Sequence, residues 1–164
     1  MKYSPKTVRC NLATPLGAMT LAAHDTALVW AGFDGQKHAP DTSVWPLAAA
    51  HTVLRQACEQ LQQYFVSERT DFDIALDLSS GTAFQQSVWR SLLGIASGTT
   101  CSYGTISQQI GNPKAVRAVG GAIGRNPISI IVPCHRVVGS NGALTGYAGG
   151  IDRKIALLQL ESST

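Results

Sequence analysis

The stretch Ile130-Ile131-Val132-Pro133-Cys134-His135-Arg136-Val137-Val138 constrains this chain more than any other. Its β-branched run reads as a buried strand. Pro133 has no backbone N–H for a ladder, so regular pairing stops there. The pattern predicts that Cys134 sits where a strand leaves the sheet. A thiolate is a strong nucleophile, and a nearby base can supply it at neutral pH. His135 is next in sequence, but adjacent side chains of extended chain point to opposite faces. Contact between the two therefore needs a turn or a bridging water. On its own, a Cys-His dipeptide is more often a buried structural cysteine beside a surface histidine.

A chain of 164 residues can bury one core, divided at most into two small lobes. Charged residues make up 14% and apolar ones 45%, which excludes a disordered chain. No apolar run approaches a membrane span, and Met1-Lys2-Tyr3-Ser4-Pro5 lacks the apolar core of a signal peptide. Cys10, Cys58, Cys101 and Cys134 stand far apart, without paired metal-ligand spacing. The expectation is a protein of the reducing cytoplasm with no metal; a zinc site built on Cys10, His24 or Cys58 would need irregular spacings.

The first part reads as short strands and one helix. Met19 to Ala23 and Ala27 to Phe33 flank a hairpin turn at His24-Asp25-Thr26. A helix is expected from near Ser43–Pro46 to Phe65, with Leu47, Leu54, Cys58, Leu61 and Phe65 as its apolar stripe. Phe72, Ile74 and Leu76 alternate with polar residues as in an edge strand. Nothing in this part looks catalytic. Ser79-Ser80-Gly81 is the expected linker, dividing the chain into residues 1–80 and 81–164.

Beyond it, Thr82 and Gln85 make a capping box for a helix that buries Phe84, Val88, Trp89, Leu92 and Leu93. A second box, Thr105 with Gln108, starts a short helix that stops at Gly111. Asn112-Pro113 suits the start of another helix. Two helices around a Gly-containing turn form a helix-turn-helix signature. The second helix, Lys114 to Ile123, is nearly bare outside: Ala115, Ala118, Gly121 and Ala122, with Arg117 as its prominent long side chain. Reading bases in the major groove takes several long polar side chains. Small residues with one wedge-like arginine suit sequence-independent minor-groove binding, or else a plain helical hairpin packed by Ala and Gly.

Charge is unevenly spread. Residues 1–83 carry six basic and eight acidic side chains, a net −2, whereas residues 84–164 carry seven basic and two acidic, a net +5. No acid occurs between Asp77 and Asp152, which suits a polyanion-binding face. Glu161, at the end of an apolar helix from Asp152 to Leu160, reads by itself as a solvated tail carboxylate.

Asn126-Pro127-Ile128-Ser129-Ile130-Ile131-Val132-Pro133-Cys134-His135-Arg136-Val137, followed by Gly146-Tyr147-Ala148-Gly149-Gly150, closely resembles the O6-alkylguanine-DNA alkyltransferases. The likeness is strongest from about Gly81 to Glu161 and looser upstream, through Thr14-Pro15-Leu16-Gly17. It implies an α+β protein: a small ribonuclease-H-like α/β lobe followed by a winged-helix-like helix-turn-helix domain that binds DNA and accepts the alkyl group. By the same resemblance Cys134 is the acceptor, His135 a water-relayed base, Glu161 its orienting partner and Asn126 the hinge asparagine. Tyr103, Val137, Tyr147 and Ala148 would surround a flipped guanine. Arg117 would take the flipped nucleotide's place, with Lys114, Ala115, Ala118 and Gly121 beside it on the DNA. The implied partner is double-stranded DNA bearing O6-alkylguanine, with O4-alkylthymine as a further substrate. The resemblance implies neither a cofactor, nor a membrane, nor an obligate protein partner. A thioether on Cys134 cannot be resolved as a disulfide can, so each molecule is expected to react once.

Overall fold

Short apolar strands build the first lobe, two of them buried on both faces. The computed structural model describes residues 1–163. Strands β1 (Val8–Thr14), β2 (Gly17–His24) and β3 (Ala27–Phe33) form an antiparallel meander in the order β1-β2-β3. Cys10, Leu12, Met19, Leu21 and Leu28 point into one core. The predicted turn is present, with Asp25 at φ 48° between His24 and Ala27; Asp tolerates that left-handed region. Strand β1 adds to the two strands expected from sequence.

Helix α1 is Thr52–Phe65, so the expected start near Ser43–Pro46 is wrong. Thr42–Val44 makes only a 3-10 turn, capped by Asp41. The chain then pairs with β1 instead of coiling: Arg9 N–H donates to the Pro46 carbonyl (2.9 Å) and Ala48 N–H to that of Arg9 (2.9 Å). Leu47, expected on the apolar stripe, is 65% exposed. Leu54 and Leu61 are buried as expected. The expected edge strand at 72–77 shrinks to one bridge, Leu28 with Leu76.

Helix α2 (Ala83–Leu92) starts at the predicted box, with Thr82 and Gln85 exchanging both bonds. Val88, Trp89 and Leu92 are buried, while Leu93 ends the helix and faces out. After a two-residue strand β4 (Cys101–Ser102), helix α3 runs over Tyr103–Gln109. Its cap is Ser102, whose hydroxyl accepts from Thr105 N–H, so the expected box at Thr105 and Gln108 lies inside the helix. Gly111, at φ 73°, ends α3 as predicted: Gly111 N–H reaches the Gln108 carbonyl and Asn112 N–H that of Ser107, the double closure of a Schellman turn.

Helix α4 spans Val116–Ile123 and begins later than Asn112-Pro113 suggests. Ala115 N–H instead closes a turn back onto the Asn112 carbonyl, leaving Lys114 and Ala115 ahead of the first helical residue. The pair α3 and α4 makes the helix-turn-helix, held to α2 by Trp89 Nε1–H donating to the Ala122 carbonyl (2.8 Å). Strand β5 (Val137–Val138) pairs in parallel with β4, and helix α5 (Ile151–Ser162) closes the core.

The two parts share backbone hydrogen bonds. Ala31 of β3 donates to the Pro127 carbonyl (2.9 Å) and accepts from Ser129 N–H (2.7 Å). Arg153 lies over the Phe33 ring (4.5 Å) and donates to the Leu16 carbonyl. Lys37 N–H reaches the Ala148 carbonyl (3.0 Å).

Candidate active site

The segment that carries Cys134 is not the strand its composition predicts. Ile128 bridges to Ala31, and the chain then folds through two successive tight turns. In the first, Ile131 N–H bonds to the Ser129 carbonyl around Ile130, which stands at φ 74°. In the second, Cys134 N–H bonds to the Val132 carbonyl around Pro133 at φ −82°, ψ 62°, an inverse γ-turn. Positive φ at a β-branched residue costs roughly 1–3 kcal/mol. Full burial of Ile128, Ile130 and Val132 offsets that cost. Cys134–Arg136 then form a 3-10 turn.

The site gathers four of the residues expected from sequence. Cys134, His135, Asn126 and Glu161 are all buried. The amide of Asn126 donates to the Cys134 sulfur (3.1 Å) and the Val132 carbonyl (2.8 Å), while its own oxygen accepts from Ile128 N–H (3.0 Å). Asn126 thus ties the start of the segment at Ile128 to the second turn and touches the thiol. His135 Nε2 lies 2.7 Å from Glu161 Oε1. An ionised carboxylate only accepts, so Nε2 carries the proton. Nδ1 then keeps its lone pair; it is buried and has no protein partner.

Three participants were not legible as such. Arg136 donates from Nε to Glu161 Oε2 (2.9 Å) and from Nη2 to Oε1 (2.8 Å). Tyr64, from α1, donates its hydroxyl to Oε1 (2.8 Å). Lys154 is fully buried and donates to the carbonyls of Val137 (2.6 Å) and Thr145 (2.8 Å). Arg136 and Lys154 therefore drop out of the expected DNA-facing charge. Helical periodicity could have found Lys154, because Lys154, Leu157 and Glu161 follow one face of α5. Nothing local marks Tyr64, which lies 97 residues from its partner.

Burial favours neutral forms across the site. It pushes the Cys134 thiol up, opposed by the Asn126 amide, the Lys154 ammonium and the backbone N–H groups of Cys134 and His135. Burial pulls His135 down, opposed by the Glu161 carboxylate. Glu161 behaves otherwise: burial would raise it, but the bonds from His135, Arg136 and Tyr64 hold it far below the usual carboxylate range. At rest the arrangement is thiol, neutral imidazole, carboxylate and guanidinium. It can take a proton from the thiol and hold the resulting imidazolium beside a fixed negative charge.

Two clefts flank it. One, about 340 Å³, is lined by Tyr103, Ile123, Tyr147 and Ala148, with Lys37 and His38 at its edge. Tyr103 hydroxyl accepts from Thr145 (3.2 Å). Val137 lies outside this lining; its carbonyl retains one lone pair after accepting from Lys154. The other cleft, about 1110 Å³, reaches Arg136 and Glu161 from behind through Ile95, Gly98 and Pro133. It is larger, but it meets the carboxylate and not the pocket tyrosines. On the outer face, Lys114, Arg117, Ala118 and Gly121 are exposed, and Ala115 is half-buried. Among the described residues no cluster of three or more metal-ligating side chains occurs, and no helix is long and apolar enough to cross a membrane.

Comparison with known proteins bears directly on this geometry. Residues 83–163 match the DNA-binding domain of 6-O-methylguanine DNA methyltransferase, and residues 9–78 match its ribonuclease-like domain. A methylated-DNA–protein-cysteine methyltransferase of Mycobacterium tuberculosis is 52% identical over 154 residues, covering 93% of this chain and 91% of that protein. One from Methanosarcina acetivorans is 48% identical over 151 residues, covering 92% and 95%. The crystal structure of the Mycobacterium tuberculosis O6-methylguanine methyltransferase superposes with a TM-score of 0.88 at 49% identity, over 96% of this chain and 93% of that one. A structure of the Mycobacterium tuberculosis OGT in complex with DNA gives 0.86 at 50% identity, over 93% and 91%.

Proposed function

This chain belongs to the 6-O-methylguanine DNA methyltransferase family, which repairs DNA by moving an alkyl group onto a protein cysteine, and we propose that Cys134 is the acceptor and that the cluster beneath it drives the transfer. The observation that carries this reading is the buried hydrogen bond between Glu161 and His135, which shares a 3-10 turn with Cys134, with the Asn126 amide on the sulfur.

The lesion must first leave the duplex, because O6 of a stacked guanine is buried among its pairing groups. Helix α4 meets the minor groove with small side chains, and Arg117 fills the gap left in the stack, with Lys114, Ala115, Ala118 and Gly121 beside the backbone. The extruded base enters the cleft between Tyr103, Tyr147 and Ala148, and Val137 offers its carbonyl to the guanine amine. His135 Nδ1 takes the thiol proton through a water. The Cys134 sulfur attacks the alkyl carbon in line: the S–C bond forms, the C–O6 bond breaks, and its electron pair stays on guanine. Tyr103 helps neutralise the leaving base. The Glu161 carboxylate, kept ionised, stabilises the imidazolium. No cofactor enters this sequence, and the thioether product ends the protein's working life after one turnover.

The reading extends to O4-alkylthymine, which presents the same alkyl–oxygen bond. It assigns residues 1–80 to a scaffold domain and residues 81–164 to the domain that binds DNA and accepts the alkyl group. Double-stranded damaged DNA is the partner, without an obligate second protein, in the reducing cytoplasm where Cys134 stays a thiol. Mass spectrometry after exposure to methylated duplex tests it. One methyl should appear on the peptide bearing Cys134 and none on those bearing Cys10, Cys58 or Cys101. A methyl on another cysteine, or released methanol with an unmodified protein, would overturn the assignment.

A further inference from the structure

We propose that Cys10 and Cys58 are a reversible disulfide site, closed by an oxidant of the peroxide class while Cys134 remains a thiol. Cys10 lies on β1 and Cys58 on α1, which packs against it. Their sulfurs are 3.5 Å apart, one thiol donating to the other. Among the described residues this is the one pair of cysteines in contact. A disulfide has S–S of about 2.05 Å, so closure needs about 1.5 Å of approach between two side chains that already face each other.

The two thiols are unequal. Cys10 is buried, whereas Cys58 is partly open to solvent. The hydrogen bond from Cys10 holds the Cys58 thiolate below the ordinary thiol range, against the effect of burial, and the same bond pushes Cys10 far up. Cys58 is thus the accessible sulfur and the better thiolate, and Cys10 is the protonated neighbour placed to resolve what Cys58 becomes.

The chemistry balances with one hydrogen peroxide. The Cys58 thiolate attacks a peroxide oxygen; the S–O bond forms, the O–O bond breaks, and hydroxide leaves to become water. The Cys10 sulfur then attacks the Cys58 sulfenic acid; the S–S bond forms, the S–O bond breaks, and the departing hydroxide takes the Cys10 proton as a second water. Two thiols lose two electrons and the peroxide gains them. A dithiol reductant reverses the bond by exchange. The closed loop contains β2, β3 and β1 from Cys10 onward. It also fixes α1, the helix that holds Tyr64 on Glu161. Cys134 is spared because it is buried and its thiol is pushed up.

The test uses the full-length protein, one equivalent of hydrogen peroxide, thiol blocking under denaturing conditions and non-reducing peptide mapping. The four free thiols should fall to two, with a cross-linked peptide pair carrying Cys10 and Cys58 that is lighter by two hydrogens. Dithiothreitol should restore all four. The oxidised protein should melt at a higher temperature than the reduced one and still take up one methyl per molecule from methylated duplex. In Cys58→Ser, Cys10 should stay alkylatable after peroxide. Cys101 or Cys134 oxidising first, or Cys58 reaching the sulfinic acid in the unmodified sequence with Cys10 still free, would overturn the proposal. The mapping on the unmodified sequence needs no variant to fold. Absence of methyl uptake on Cys134 already in the reduced, untreated protein would instead count against Cys134 as acceptor.

Discussion

On the proposed assignment, the cluster under Cys134 and the outer face of α4 are opposite solutions to two parts of one task. In the cluster, Glu161 alone receives His135, Arg136 and Tyr64, and every polar group is buried. On α4, the exposed positions are Val116, Arg117, Ala118 and Gly121, and among the described residues no side chain of a neighbouring helix or strand bonds to them. Chemistry on a fixed atom needs groups that cannot move, so donors converge there in a site without bulk water. Engagement of any duplex sequence needs close approach and few directional groups, so side chains are withheld there. Damage to the first region should therefore appear with every substrate, and damage to the second only when a duplex must be opened.

Cys134→Ala gives the largest effect. Single-turnover methyl transfer should vanish for both duplex and free O6-methylguanine base, while gel-shift affinity for duplex stays within about twofold, since the thiol makes no part of the α4 surface. Residual stoichiometric repair would break the comparison at its root. Glu161→Gln comes next. Losing the charge that stabilises the imidazolium should slow both substrates by ~10²–10⁴-fold. It should also cost up to about 3–5 kcal/mol of unfolding free energy in urea titration, because Arg136 would be buried without its carboxylate.

Arg117→Ala should slow duplex repair by roughly tenfold, the value of about 1–2 kcal/mol of stacking and cation–π contact. The free base, which needs no flipping, should react as before. Equal loss on both substrates would move Arg117 into the fold and erase the contrast. Tyr64→Phe should have the smallest effect. Removing one donor from Oε1 makes Glu161 a stronger acceptor for His135, so the acid limb of the rate–pH profile should shift to higher pH. The plateau rate should change by no more than about threefold. An unmoved profile would show that Tyr64 only packs.

Acid separates the regions as well. His135 is depressed below its unfolded value, chiefly by burial, and Glu161 is depressed by its donors. As pH falls below about 6.5 the unfolded chain protonates its histidine before the folded one does, and below about 4.3 the same holds for the carboxyl. Stability contributed by the cluster is thus full at neutral pH and lost on acidification, first through His135 and then through Glu161. Melting temperatures from about pH 2 to 8 should show both steps, and Glu161→Gln should remove the lower one.

How much of this the sequence discloses depends on the range of the forces involved. The Thr82 box, the Gly111 stop and the burial of Val88, Trp89 and Leu92 are set within a turn or two of helix and stand where periodicity and capping place them, whereas Leu93, expected on the same stripe, is exposed because the helix ends there. Asn112-Pro113 is equally local but misleads, because its turn closes on Ala115 before the helix can start. Leu47 and the run Ile130–Val132 were misread for a different reason. Their conformation is dictated by partners elsewhere, Arg9 in one case and Ala31 and Asn126 in the other. Cys134, His135 and Glu161 were legible through motif resemblance, and the structure brings them together. Arg136 and Lys154 were counted as surface charge because composition says nothing of direction, and Tyr64 could be seen only once α1 was docked.

Ala31 has a mechanical consequence. Its backbone grips residues 127 and 129 on either side of Ile128, so the first lobe is clamped to the very segment that ends in Cys134. The join at residues 79–81 is then only a tether. Cutting it should leave two pieces that stay assembled as a working pair, whereas prising β3 away, with the tether whole, would let the turn at Ile130 relax and carry the sulfur out of place.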